Sequence, residues 1–311
     1  MRRQAAFIDA GYMLKGALHC HTTRSDGVDD PAFVIKCYKE HGYDFMALTD
    51  HRCYNYRNFS DAEMTIVPGV EVDRNLPGPG VHVHHMVALG PSRGDGNGFE
   101  QDQRFPRNRI DRPEQTQELL DYMHENNNIT FYCHPEWSGT PAREFEMLKG
   151  NFAMEIWNSG SALEHGKDTN AAYWDEILVQ GQRIFGVATD DGHVMRQYCK
   201  GWVRVNAENS VNTILKALKN GAFYSSCGPE IYDFYVDKGR AYLECSPVSE
   251  IQFIHFRAPY TIARPGEGEA GITSANVPLR ETNTPYIRAV VKDSNGNRAW
   301  TNPIFLDLED F

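Results

Sequence analysis

The segment ALHCHTTRSDG at residues 17–27 sets His19, His21 and Asp26 at the end of a short apolar run. Residues i and i+2 of a β-strand share a face, so His19 and His21 point one way and Cys20 the other. Two imidazoles on one rigid face, with a carboxylate five residues on, make the start of a metal site. Mixed imidazole and carboxylate donors suit zinc, manganese or iron better than calcium or magnesium. Alone, an H-x-H pair is more often structural than liganding. Its weight comes from the rest of the chain, where residues of the same kind end or interrupt five further apolar runs. FMALTDH (45–51) stops at Asp50 and His51, and IVPGVEV (66–72) encloses Glu71, where an unpaired carboxylate would be costly. VHVHHMVALG (81–90) carries His82, His84 and His85, ITFYCHP (129–135) ends on His134, and FGVATDDGH (185–193) ends on Asp190, Asp191 and His193.

Short apolar runs separated by helical stretches describe an α/β chain with a mostly parallel sheet. In closed parallel barrels the chemistry gathers at the C-terminal strand ends, where these residues fall. Asp30 caps a helix that begins at Pro31 and stops at Gly42, and helical patterns follow near 114–127, 170–181 and 210–220. Residues 91–113, rich in Gly, Arg, Asp and Pro, break every periodicity. They form either a loop over the barrel mouth or a disordered insertion. From residue 232 the texture changes to short β-like runs, with a hairpin signal at DSNGN (293–297). The expected division is therefore a barrel over 1–231 and a small antiparallel β-domain over 232–311. In SEIQFIHF, Ile251, Phe253 and His255 would share one face, with Ile254 and Phe256 partly on the other.

The ordered set His19-Cys20-His21, Ser25-Asp26-Gly27, Thr49-Asp50-His51, Gly69-Val70-Glu71, His85 through Gly90, His134-Pro135 and Asp191-Gly192-His193 resembles the PHP superfamily, the polymerase-and-histidinol-phosphatase metallohydrolases. The resemblance covers about residues 14–205. AMEIWNSG (153–160), Trp174 to Asp191 and FYSSCGPEI (223–231) look like the phosphoesterase-like branch that includes carbaryl-type hydrolases. The resemblance implies a distorted seven-stranded (β/α) barrel with two or three divalent metal ions (Mn, Zn or Fe) in its mouth. It implies one position held by His19, His21, Glu71 and Asp191, and a second reached by the same Glu71 with His85 and His134. Asp26, His51 and His193 would hold a third. Glu71, Asp191 and His193 are the expected catalytic residues. His85 is preferred to His84 because it opens the H-x-x-x-L-G pattern; His82 and His84 would share the other face. Asp50 and Asp190 are expected either to orient an imidazole or to serve as surface or capping residues.

Composition agrees with an enzyme acting on small molecules. The formal charge of −11 offers no electropositive surface for a nucleic-acid backbone. The first residues lack the apolar core of a signal peptide, and no run is long enough to span a bilayer. Seven cysteines without a C-x-x-C pair argue against a disulfide framework and for a reducing cytoplasm. Cys20 and Cys133 are expected to be small buried hydrophobes facing away from the ligands.

The chemistry expected is hydrolysis of a small phosphorylated metabolite or nucleotide by a metal-activated hydroxide. Arg24, Arg52 and Arg196 are the candidate phosphate donors, ahead of Lys200, with solvated loop cations the competing reading. His193 or His51 would protonate the leaving group if the third position held no metal. Hydrolysis of a carbamate, ester or amide uses the same ligands, and a non-catalytic metal-binding module is the reading from a different class. Tyr54, Tyr56, Trp137 and Trp157 either stack on a base or aryl group or pack the barrel. The oligomeric state is not legible in the chain.

Overall fold

The computed structural model describes residues 4–5, 13–75, 83–109, 114–256, 258–279 and 285–306, and His82 lies outside them. The strands that carry the histidines and acids fall into two sheets. One has six strands, in the order Phe185–Thr189, Asn151–Asn158, Ile129–Tyr132, Val83–Leu89, Gly69–Asn75 and Asn108–Arg109. In the other, Met13–Ala17 runs parallel to Phe45–Met46, and Phe45–Met46 parallel to Thr65–Ile66. The two sheets meet at isolated parallel bridges, Cys20 to Gly192 and His51 to Glu71. The first lies just beyond the ends of its two strands, and the second joins His51 to Glu71 within Gly69–Asn75. The parallel expectation holds only in part, because Val83–Leu89 pairs antiparallel with both of its neighbours. The strands do not make one seven-membered sheet among the described residues: the second sheet runs to ten strands.

Helices form where capping and periodicity place them. Asp30 Oδ1 accepts the Phe33 amide at 2.9 Å to start Pro31–Glu40, and Gly42 (φ 75°) turns the chain out of it. Glu114–Glu125, Asn170–Val179 and Val211–Lys219 fall on the three expected stretches. Two short helices, Ala142–Phe145 and Ser159–His165, carry no long periodic signature.

The described part of the segment after Val83–Leu89 packs on the molecule's own core rather than over the mouth. Phe99 and Phe105 are buried, with Phe99 edge-on to Tyr54. The Tyr54 amide donates to Gln103 O and the Phe105 amide to Arg52 O, so the described part of 91–113 packs along residues 52–57.

The strands after residue 231 are antiparallel, as expected, and form two sheets around an apolar core that includes Phe234, Leu243, Ile251, Phe253 and Val291. Ile251 and Phe253 face that core, whereas Ile254, on the opposite face by strand alternation, joins the core of the six-stranded sheet, and Phe256 is exposed. The hairpin at 293–297 closes through Asp293 N to Asn297 O, with Gly296 at φ 90°.

This C-terminal region is continuous with the rest of the molecule. Arg298–Thr301 pairs with Phe223–Ser226, so its sheet and that of Met13–Ala17 are one hydrogen-bonded surface. Asn302 accepts the Gly186 amide and donates to the Gly221 and Phe223 carbonyls. Arg288, buried over the Trp174 ring, makes a two-pronged ion pair with Asp175 at 2.9 and 2.6 Å, and Tyr286 donates to the same carboxylate. A pair this well sheltered from water loses far more when one partner is removed than a surface pair does.

Candidate metal centre

Nine side chains from six segments converge at one end of the two sheets. Glu71, wholly buried, stands at the middle. Its Oε1 lies 2.7 Å from His85 Nδ1 and 3.5 Å from His134 Nε2. Its Oε2 lies 2.9 Å from His51 Nδ1, 3.2 Å from His21 Nε2 and 3.5 Å from His19 Nε2. Asp191 approaches from the other side, with Oδ1 3.1 Å from His21 Nε2 and 3.3 Å from His19 Nε2, and Oδ2 3.6 Å from His134 Nε2. Asp26 lies 3.4 Å from His193 Nε2 and 3.5 Å from both His51 Nε2 and His21 Nδ1.

The ligand-type atoms fall into three overlapping groups. One is His19, His21, Glu71 and Asp191; another is His51, Glu71 and His85; the third is His21, Asp26, His51 and His193. His134 stands against Glu71 and Asp191 rather than in a tight group with His85.

Backbone pairing explains how the side chains are aimed. The Asp191 amide donates to His19 O and the His21 amide to Gly192 O, so the two strand ends face each other. The Glu71 amide donates to Thr49 O, and the Cys133 amide to His85 O. His134 (φ 24°) and Asp191 (φ 48°) sit in the left-handed region, which costs an L-residue free energy. The neighbouring hydrogen bonds hold them there, and the turn swings each side chain off its strand face into the cluster.

Glu155 is the residue that motif reading missed. Its Oε1 accepts from His19 Nδ1 and Thr189 Oγ1, both at 2.6 Å. Its Oε2 accepts from the His134 amide and Asn158 Nδ2, both at 2.8 Å. With its Nδ1 proton engaged there, His19 turns its Nε2 lone pair toward Glu71 and Asp191. The signal was present: Glu155 is a lone carboxylate within an apolar strand, as Glu71 is. His193 is fixed in the same way, with Nδ1 donating to Asp191 O at 2.8 Å.

Asp50 orients no imidazole directly. It accepts from the Thr22 amide and hydroxyl and from Ser25 Oγ, holding the turn that carries Asp26. Asp190 accepts from Tyr38 OH and from the Cys199, Lys200 and Gly201 amides, so it anchors a loop rather than a ligand. Burial pushes its carboxyl up to about 6 against these bonds. Cys20 packs with Tyr38 and Tyr198, away from the cluster. Cys133 is buried too, but its sulfur lies within 4.8 Å of ligand-type atoms of His19 and Glu155.

Electrostatics tie the cluster together. Burial acts to raise the Glu71 and Asp191 carboxyls, but the surrounding imidazoles outweigh it and hold both well below the usual carboxylate range. Burial opposes protonation of His193, yet the Asp26 and Asp191 carboxylates raise it to about 9. Two buried atoms at the centre, His51 Nδ1 and Glu71 Oε2, lie 2.9 Å apart without the alignment of a hydrogen bond, and neither is well bonded to any other described residue. Unsatisfied buried polar atoms are rare and costly, and here they face each other among further nitrogen and oxygen donors. This donor set fits divalent transition-metal ions.

A cavity of about 260 Å³ opens over the cluster, lined on one side by Asp26, His51, Glu71, His85, His134, Asp191 and His193. Trp137, Gly160, Ser161, Glu164, His165 and Gln197 complete it. None of the three candidate arginines lines it. Arg24 is paired with Asp102 and Arg52 with Asp73, each away from the cavity. Arg196 reaches only its rim, through a 2.6 Å bond to Glu164. Lys200 does not line it either.

No family model matches the chain, and no curated protein does. Among solved structures it is similar to a two-domain protein from Bacteroides vulgatus containing a predicted PHP-like metal-dependent phosphoesterase. That match has 15% identity over 98% of this chain and 99% of the other, at a TM-score of 0.47. It is also similar to an amidohydrolase from Chromobacterium violaceum with bound sulfate and no metal, at 14% identity over 58% of this chain and 88% of the other, TM-score 0.42. PsfC from Pseudomonas syringae matches at 13% identity over 67% of this chain and 87% of the other, TM-score 0.44.

Proposed function

We propose that this chain is a metal-dependent hydrolase of the PHP superfamily, of its phosphoesterase-like branch, acting on a small phosphorylated substrate. The observation that carries the reading is the convergence of all nine motif residues on one cluster around the buried Glu71, with His51 Nδ1 and Glu71 Oε2 poorly satisfied at its centre. His19, His21, Glu71 and Asp191 would hold one divalent ion. Glu71 would be shared with a second, completed by His85 and His134. Asp26, His51 and His193 would hold a third. When bound, such ions supply an acidified water and positive charge against the scissile group.

The chain's own residues do the rest. Glu155 keeps His19 in the liganding tautomer, Asp191 O does the same for His193, and Asp50 fixes the Asp26 turn. The cavity walls confine the substrate over the cluster. If the third position holds no metal, His193 Nε2, partly exposed and beside Asp26, is placed to give a proton to the leaving group. Hydrolysis of a carbamate, ester or amide is the second reading, favoured by a cavity lining without lysine or arginine among the described residues.

The reading predicts at least two transition-metal ions per chain after reconstitution with manganese, zinc or iron, as counted by elemental analysis. Fewer than one would sink it. In parallel, a phosphomonoester, a phosphodiester and an aryl carbamate offered with each metal should separate the two chemistries. Phosphomonoester turnover supports the first reading, and carbamate turnover alone replaces it with the second.

Glu155→Gln tests the support beneath His19. Glutamine keeps the shape but presents an NH2 where a carboxylate oxygen now accepts. Metal affinity, measured by competition with a chromophoric chelator, should fall about ten- to a hundredfold. Unchanged affinity would mean that Glu155 serves packing alone.

A further inference from the structure

We propose that the part of the cavity beside the ligand cluster is a subsite for a planar ring bearing a hydrogen-bond donor and no second anionic group. The inference rests on the hydrolase reading above, in which the phosphoryl group lies over the cluster, and it names the class of leaving group.

Three observations lead there. Trp137, the largest side chain in the cavity lining, is 41% exposed. Its ring stands edge-on to His134, with centroids 5.0 Å apart and planes at 81°, and tilted at 5.8 Å from His85. The tryptophan is therefore braced by two ligand imidazoles and keeps open surface next to the reacting position. His165, also in the lining, packs its ring tilted at 59° beside that of Trp137, with centroids 6.4 Å apart. Aromatic groups prefer such offset or tilted neighbours, and the preference exceeds plain area burial.

Glu164 decides the polarity. Arg196 Nε and Gln197 Nε2 both donate to its Oε1, at 2.6 and 3.2 Å, and no hydrogen bond to its Oε2 is found among the described residues. A carboxylate oxygen only accepts, so it selects hydroxyl or amino donors on the ring. A second phosphate or carboxylate would meet Glu164 Oε2, while Arg196, held on Oε1, does not itself line the cavity to receive it. A monoester of an aromatic or heterocyclic alcohol fits, and a bisphosphate does not.

Non-hydrolysable phosphonates test this independently of turnover. Metal-loaded protein is titrated calorimetrically with methylphosphonate, phenylphosphonate, 4-aminophenylphosphonate and 4-carboxyphenylphosphonate, and hydrolysis of phenyl phosphate is followed separately. Phenylphosphonate should bind about three- to tenfold tighter than methylphosphonate. Trp137→Ala should erase that ratio, whatever it does to methylphosphonate affinity itself, and Trp137→Phe should keep most of it. Glu164→Gln should weaken the amino compound and strengthen the carboxylate compound. Equal binding of methyl- and phenylphosphonate, or a ratio indifferent to Trp137→Ala, overturns the ring subsite even if phenyl phosphate is hydrolysed. Ring-selective, Trp137-dependent binding without hydrolysis under any metal keeps the subsite and overturns the hydrolase reading instead.

Discussion

Glu71→Gln is expected to lower hydrolysis by roughly three orders of magnitude or more, since losing a mere supporting partner of a ligand already costs about ten- to a hundredfold in affinity or activity. Glu71 is buried, and its two oxygens face five imidazoles: His85 and His134 on one side, His19, His21 and His51 on the other. Glutamine fills nearly the same volume, so the sheets need not shift. What disappears is the charge that two proposed ion positions share. In its place comes an NH2 group that points protons at nitrogens or at a cation. The variant should fold and should lose metal together with turnover, which elemental analysis and a steady-state assay would show. Near-normal turnover at full metal occupancy would mean that Glu71 is not shared between ions.

A chain ending at Glu230 is expected not to give a stable, cooperatively folded protein, even though every motif residue lies before that point. The cut removes Arg298–Thr301 and so strips a paired strand from Phe223–Ser226, leaving an exposed sheet edge open to aggregation. It also removes Tyr286 and Arg288, which hold Asp175 and cover the Trp174 ring, and so uncovers apolar surface on the helix Asn170–Val179. Asn302 goes as well, and with it the bonds to Gly186, Gly221 and Phe223. Against a typical domain stability of about 5–15 kcal/mol these losses are large. Thermal unfolding and metal content of the truncated chain are the readouts. A folded, metal-loaded fragment that has lost only substrate affinity would assign the C-terminal region to recognition rather than support.

Much of the cluster was legible before any fold was known, because strand alternation is local. His19 and His21 share a face by two-residue spacing, and His85 is separated from His84 by one. The structure agrees: His84 turns away, buried against Tyr132 OH at 2.7 Å, while His85 faces Glu71. The Asp30 cap, the three long helices and the 293–297 hairpin were likewise visible, since each depends on residues within one or two turns of chain.

Other features depended on where strands lie in space. Glu155 supports His19 across 136 residues of chain, and nothing in AMEIWNSG alone names that partner. Proximity along the chain misplaced the arginines. A long, flexible cation beside a ligand is captured by the nearest unpaired carboxylate, which for Arg24 is Asp102 and for Arg52 is Asp73. The C-terminal strands read locally as a separate unit, yet Arg298–Thr301 completes a sheet begun near the N-terminal end. A strand's pattern states which face is apolar and leaves open which edge it will pair with. Local alternation and spacing therefore set the ligand types and their directions. Long-range strand pairing decided what braces them, which walls enclose the cavity, and why the arginines do not reach it.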